Sequence, residues 1–234
     1  MQINIPEFSR SPYAFIVIGA VAIGFLIAVL YMRHFRVSRQ AIAYTCLLTF
    51  ICTIITSLVV AFKLSPEGIS VGFSGLGAAV GMVGGIFLSS IIIKDKPDCV
   101  MASFVAAAPL MYGLAKFGCL FAGCCHGKDY HGPFAIVYHG ENSGSYFPAQ
   151  IIDMIAFLSL FVIATVLIFK MKKTANAVFI IFAIVVPVRF ALEYLKYYHE
   201  GGPIEPGQIT VLVAGILAFI LLIIWKKVLK INYR

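Results

Sequence analysis

The chain has 234 residues, of which 61% are hydrophobic and only 12% charged, with a mean hydropathy of +0.98. So little charge excludes an ordinary soluble domain and points to a protein largely solvated by lipid. The net charge of +8 and pI near 9.2 raise nucleic acid as a partner, but the placement of the charges gives a membrane explanation instead.

In chain order, the opening "MQINIPEFSR" lacks a basic start, and no small-residue cleavage site follows the first apolar run, so no signal peptide is expected. Seven apolar segments follow, at 13–32, 41–62, 70–93, 99–116, 149–169, 175–196 and 207–225. Each is close to the length that spans a hydrocarbon core, and bare backbone cannot sit in lipid, so each is expected to be a transmembrane helix. The fold class is therefore an all-α integral membrane protein with seven transmembrane helices in one domain, 1–234. The third segment, "GFSGLGAAVGMVGGIFLSS", is rich in glycine. Small residues let helix backbones approach closely, either for packing alone or as a thin wall beside a bound lipid. The longest loop, 118–147, joins segments four and five, and its "HGPFAIVYHG" alternates enough for a short strand or hairpin on the membrane surface.

Charge placement orients the chain. Twelve of the 18 basic residues, from Arg33 to Arg234, fall on one side with only Asp95 and Asp98 among the acids. Arg10, Lys63, Lys116, Lys128, Arg189 and Lys196 fall in the other half. The positive-inside rule then puts the N-terminus outside and the C-terminus in the cytoplasm, with the loop between helices 4 and 5 periplasmic or extracellular. The basicity belongs to cytoplasmic loops beside anionic headgroups, and no nucleic acid is called for.

"KFGCLFAGCCHGKDYHG", Lys116 to Gly132, gathers three of the six cysteines at the start of that outer loop. Its Cys-x4-Cys-Cys-His spacing lacks the paired pattern of structural zinc sites, and adjacent cysteines rarely point at one ion without strain, so no metal ligand and no cofactor is assigned. A disulfide from Cys119 to Cys124 or Cys125 and thiols packed as small apolar side chains both stay open. Arg189 lies inside segment six, in "VVPVRFALEYLKYYHEGG", four residues before Glu193 on the same helical face. A cation in an apolar helix faces a partner or a cavity. Either the pair only steadies the bundle, or Arg189 and Lys116 serve a cavity at the outer end. Lys116 alone has the further option of snorkelling to the interface.

These residues carry a resemblance. "GLAKFGCLFAGCCHG", the segment 113–127, resembles the signature G-R-x-G-C-F-x-N-G-C-C-x-G of prolipoprotein diacylglyceryl transferases. "FPAQIID" (147–153) resembles their H-P-S/T-Q-L-Y-E, "VRFALEYLK" (188–196) their R-F-x-x-E-F-x-R, "PGQI" their M/L-G/S-Q-I/L stretch, and "FSGLGAAVGMVGG" their H-G-G-L-I-G-G. The likeness covers about residues 70–215 in the family's order. It implies a bacterial inner-membrane enzyme that moves a diacylglyceryl group from phosphatidylglycerol, or another anionic phospholipid, to a cysteine thiol of a prolipoprotein signal peptide or a related thiol acceptor. It implies that Arg189 and Lys116 carry the chemistry, with His126 the candidate base where the usual histidine is missing. Gln150, Glu193, Gly118, Gly123, Gly127, Lys196 and Ser74 would form the headgroup site. The departing phosphate calls for fixed cations, and the attacking thiol must lose its proton. The chain also departs from the pattern. Phe73, or Ser74 if the alignment slips, stands where the family has histidine, and Lys116 where it has arginine. His126 is the nearest replacement base, with His131 and His139 on the same face. The alternative is a catalytically silent relative that binds or transports lipid.

Overall fold

Long apolar runs with little charge close their backbone hydrogen bonds within themselves, and among the described residues that yields seven α-helices: α1 (Tyr13–His34), α2 (Arg39–Ala61), α3 (Gly75–Ile93), α4 (Pro97–Ala122), α5 (Ala149–Lys170), α6 (Thr174–Glu193) and α7 (Pro206–Val228). The structure is a computed structural model that describes residues 2–6, 12–61, 63–65, 68–70, 74–139, 143–198, 202 and 204–228. Six of the helices are long and apolar enough to cross a bilayer; α3 contributes a shorter apolar stretch, Gly77–Ile93. The chain is an α-helical, multi-pass membrane protein.

α4 runs through the middle, packed on α1, α5 and α6. Phe104, Met101 and Ala102 bury completely there, in a core shared with Met32, Ile86 and Trp225. Lipid is as apolar as these side chains, so close packing, not escape from water, holds the helices together. The α2–α3 pair takes this furthest. Gly77, Gly81 and Gly85 recur every fourth residue along α3 and meet the α2 backbone: a Cβ on Gly81 would lie 2.4 Å from the Cys52 carbonyl oxygen, and one on Gly85 2.5 Å from Thr49 Cα. The Thr56 hydroxyl seals the contact, its one proton shared between the carbonyls of Cys52 and of Gly77, each 2.7 Å away. The glycine-rich segment thus packs backbone to backbone, as its composition suggested.

The helix ends shift from the sequence expectation by up to six residues, and three of the shifts bear on the site. The third segment was expected to start at 70, but Gly68–Ser70 forms strand β3 against β2 (Lys63–Ser65), and α3 starts at Gly75 after its cap Ser74. The fourth was expected to stop at Lys116. Instead α4 continues to Ala122, because Phe117, Leu120 and Phe121 keep its surface apolar and only Gly123, with φ 65°, turns the chain away. Lys116 therefore sits within the helix, and the connecting loop occupies 123–148, not 118–147. The sixth was expected to reach 196, but α6 closes at Glu193, which leaves Lys196 just beyond it.

The strand expected in "HGPFAIVYHG" is β4 (Ile136–Tyr138); it pairs antiparallel with β5 (Gly144–Tyr146), beyond that stretch, and β1 (Ile3–Asn4) adds alongside β4 in parallel. Ile5, Leu120, Ile136 and Tyr138 form a small apolar cluster that seats this sheet on the end of α4.

Candidate active site

The loop end of the bundle brings together the second half of α4, the first turns of α5 and α7 and the last turns of α6. α5 begins right after Pro148, so Gln150 and Asp153, one turn apart, share its inward face, and both are buried. Asp153 is fully buried and holds two cations. Its Oδ2 accepts from Lys196 Nζ at 2.5 Å and pairs with Lys116 Nζ at 3.2 Å. Lys116 is 6% exposed and Lys196 1%, so neither snorkels. Two ammonium groups on one buried carboxylate leave a local excess of positive charge. Burial pushes the Lys196 ammonium below the ordinary lysine range, the Lys116 charge pushes it further, and the Asp153 carboxylate opposes both.

Arg189 and Glu193 form the second pair, on adjacent turns of α6, and the Tyr198 hydroxyl donates to Glu193 as well. Burial raises the Tyr198 hydroxyl above the ordinary phenol range, and the bond to Glu193 adds to this. The α7 start closes on this pair, since a Cβ on Gly207 would lie 3.0 Å from Glu193 Oε2. Tyr112 joins the two charge groups. Lys116 Nζ stands 5.0 Å from its ring centroid and Arg189 Cζ 5.6 Å, so cations from α4 and α6 share one aromatic ring. The network is not fully satisfied. Arg189 Nη1, Asp153 Oδ1 and Gln150 Oε1 are buried without a hydrogen-bond partner among the described residues. Such atoms are costly to leave unmet.

Gln150 also shapes the loop. Its Nε2 donates to the Cys124 carbonyl at 2.9 Å and to the Tyr138 hydroxyl at 3.2 Å, while Tyr138 donates onward to the Leu120 carbonyl at 2.8 Å. Burial raises the Tyr138 hydroxyl above the ordinary phenol range. Gly127 lets the loop return against its own backbone, because a Cβ there would sit 2.8 Å from the Phe147 carbonyl oxygen. His126 lies between the rings of Tyr146 and Tyr197, at centroid distances of 3.9 and 4.6 Å. Its Nδ1 lies 2.9 Å from the Gly127 carbonyl, which only accepts; Nδ1 therefore carries the proton and Nε2 is the basic nitrogen. The cysteines are free thiols. Hydrogen bonds from Cys119 and Cys124 favour the thiolate of Cys125 and hold it below the ordinary thiol range, while Cys124 is raised by its hydrogen bonds with Cys119 and then Cys125, and by burial.

Lys116, Arg189, Glu193 and Lys196 therefore gather with Asp153 and Tyr112, while Gln150, one turn before Asp153 on α5, bonds the Cys124 carbonyl and the Tyr138 hydroxyl instead. His126, Gly123 and Gly127 line the loop above them. Gly118 packs in α4 against Tyr13 and Ile16 of α1, and Ser74 caps α3, its Oγ accepting from the Gly77 N–H at 3.2 Å. Phe73 lies outside the described residues. Sequence reasoning quoted Asp153 within "FPAQIID" but gave it no role. Its signal was present: a carboxylate one turn after Gln150 in an otherwise apolar helix needs a buried cation. Tyr112 gave no signal beyond standing four residues before Lys116.

The family model of prolipoprotein diacylglyceryl transferase matches residues 1–225 of the chain. No curated protein matches it.

Proposed function

The chain belongs to the prolipoprotein diacylglyceryl transferase family, and from that premise we propose that it moves the diacylglyceryl group of phosphatidylglycerol to the thiol of a prolipoprotein signal peptide or a related acceptor, at the outer leaflet of a bacterial inner membrane. Seven spans with the N-terminus outside would set the charge network beside that leaflet. The supporting observation is the set of unmet polar atoms. Arg189 Nη1 is a buried donor without a partner among the described residues, and Asp153 Oδ1 and Gln150 Oε1 are buried acceptors in the same state. A phosphatidylglycerol headgroup carries what they lack: phosphate oxygens for the guanidinium and glycerol hydroxyls for the two acceptors.

Arg189 and Lys116 would stabilise the charge that grows on the departing glycerol phosphate as the thioether bond forms, in a site where little water competes. Tyr112 keeps the two cations at fixed spacing, and Glu193 and Asp153 keep them in place. His126 Nε2 is the base that would take the thiol proton. The second reading, a relative that binds lipid without turnover, rests on Phe73 at the position of the family histidine.

Detergent-purified protein given phosphatidylglycerol and a cysteine-bearing signal peptide tests both. Transfer adds the diacylglyceryl mass to the peptide. Phosphatidylglycerol bound with an unmodified peptide would instead support the silent relative, and neither binding nor transfer would defeat both readings.

A further inference from the structure

We infer that Cys119, Cys124 and Cys125 form a three-thiolate site for a thiophilic d10 cation, Zn2+ or Cu+, with one coordination position left open. Their three Sγ atoms already lie within 4.8 Å of one another. An ion bound to sulfur at about 2.3 Å, in tetrahedral or trigonal geometry, needs sulfur separations of about 3.8–4.0 Å. Small side-chain rotations close that gap.

The convergence is a product of the backbone. Residues 119, 124 and 125 would not share one face of a continuing helix. The left-handed turn at Gly123 folds the chain back, and the Cys124 N–H bonds the Cys119 carbonyl at 3.2 Å. Cys125 then takes φ 57°, a conformation that side-chain-bearing residues adopt at an energetic cost. This is the strain that the sequence argument said two adjacent cysteines would need in order to face one ion. Neighbours hold it in place. Gln150 Nε2 fixes the Cys124 carbonyl at 2.9 Å, and Lys196 Nζ lies 3.4 Å from the Cys125 carbonyl.

The donor set selects the ion class. Among the described residues this group holds sulfur ligands alone, which suits soft d10 ions and disfavours Mg2+ or Ca2+. His126 faces its tyrosine rings and the Gly127 carbonyl instead. Three protein ligands leave one position for water or an external thiolate, as open zinc sites do. Lys116 and Lys196 act on Cys125 as positive neighbours and so offset part of the negative charge that three thiolates bring. A disulfide would use only two of the three sulfurs. The site does not depend on the transfer reading, since ion binding needs neither lipid nor peptide.

The test uses the full chain in detergent, purified anaerobically with a non-thiol reductant and loaded with Zn2+ alone or Cu+ alone. Elemental analysis after gel filtration should find about one ion per chain in at least one arm. Cys119→Ser and Cys124→Ser should each lose it, while Cys46→Ser and Cys52→Ser keep it. Co2+ loading should give a sulfur-to-cobalt charge-transfer band, and bound ion should shield the three thiols from maleimide until a chelator is added. If a variant fails to fold, the wild-type shielding and cobalt spectrum still decide. Absence of stoichiometric ion in both arms, or retention unaffected by either substitution, overturns the site, and so does a disulfide between any two of the three cysteines in freshly isolated protein.

Discussion

The two ends of the bundle solve the same problem differently. At the basic end, beside the turns after α1, α3 and α5, water is at hand, and cations serve as fasteners between loops. Lys96 Nζ donates to the carbonyls of Phe35 and Arg36 at 2.9 and 3.0 Å, Asp95 accepts from the Ser38 N–H at 2.8 Å, and Asp98 from the Thr174 hydroxyl at 2.7 Å. At the loop end the cations are taken out of water. Lys116 and Lys196 must share one carboxylate, and Arg189 leans on Glu193 and on the ring of Tyr112. At the basic end these charged groups all find partners, and the buried atom left unmet there among the described residues is the neutral indole N–H of Trp225. The loop end keeps a guanidinium nitrogen and two acceptor oxygens unmet. Unmet charged groups gathered beside one another call for a partner, whereas an exposed cation marks only which side of the membrane it is on.

Substitutions at the two ends should separate these roles. Asp153→Ala strands two buried ammonium groups, and the expected loss is about 3–5 kcal/mol of stability, read from thermal unfolding in detergent. A melting temperature close to wild type would mean water already reaches this end. His126→Gln should lower turnover about 100-fold while lipid still co-purifies, because the ring supplies a base and not a headgroup contact. Unchanged turnover would hand the proton to another group. At the basic end, Asp95→Ala should cost about 1 kcal/mol and leave turnover alone. The Ser38 N–H holds the Asp95 carboxyl below the usual carboxylate range. Its contribution is therefore complete above the ordinary carboxylate pKa and fades as pH falls through the lower folded value. In Asp95→Ala that part of the acid-side decline should vanish from the unfolding curve. Lys116→Arg should be tolerated. It keeps the charge and adds a planar fork suited to Asp153, so turnover should stay within about tenfold of wild type.

The helices were legible because lipid leaves the backbone so little choice: hydropathy alone located seven segments, and the glycine content of the third pointed to close packing. The ends were legible where the apolar run itself stopped, as after Ile93 and Lys170. Reading Lys116 as an end failed because a charge interrupts hydropathy without interrupting a helix; α4 buries that charge against Asp153, a residue 37 positions away in sequence. The same limit hid the network. Arg189 and Glu193 are neighbours on one helix face and could be paired from spacing. Asp153 joins Lys116 and Lys196 only through the packing of α4 and α5 and the exit of α6, which no local pattern records. The thiol cluster was visible as composition, but its convergence depends on left-handed turns at Gly123 and Cys125, and nothing in the identity of a cysteine predicts the second.

The most direct test of the central claim is peptide modification by Arg189→Ala in detergent with phosphatidylglycerol, beside a melting curve of the same preparation. The account predicts at least a 100-fold fall in turnover, about 2.7 kcal/mol of lost transition-state stabilisation, in a protein that still inserts and melts as a folded bundle. Turnover near the wild-type rate would contradict it.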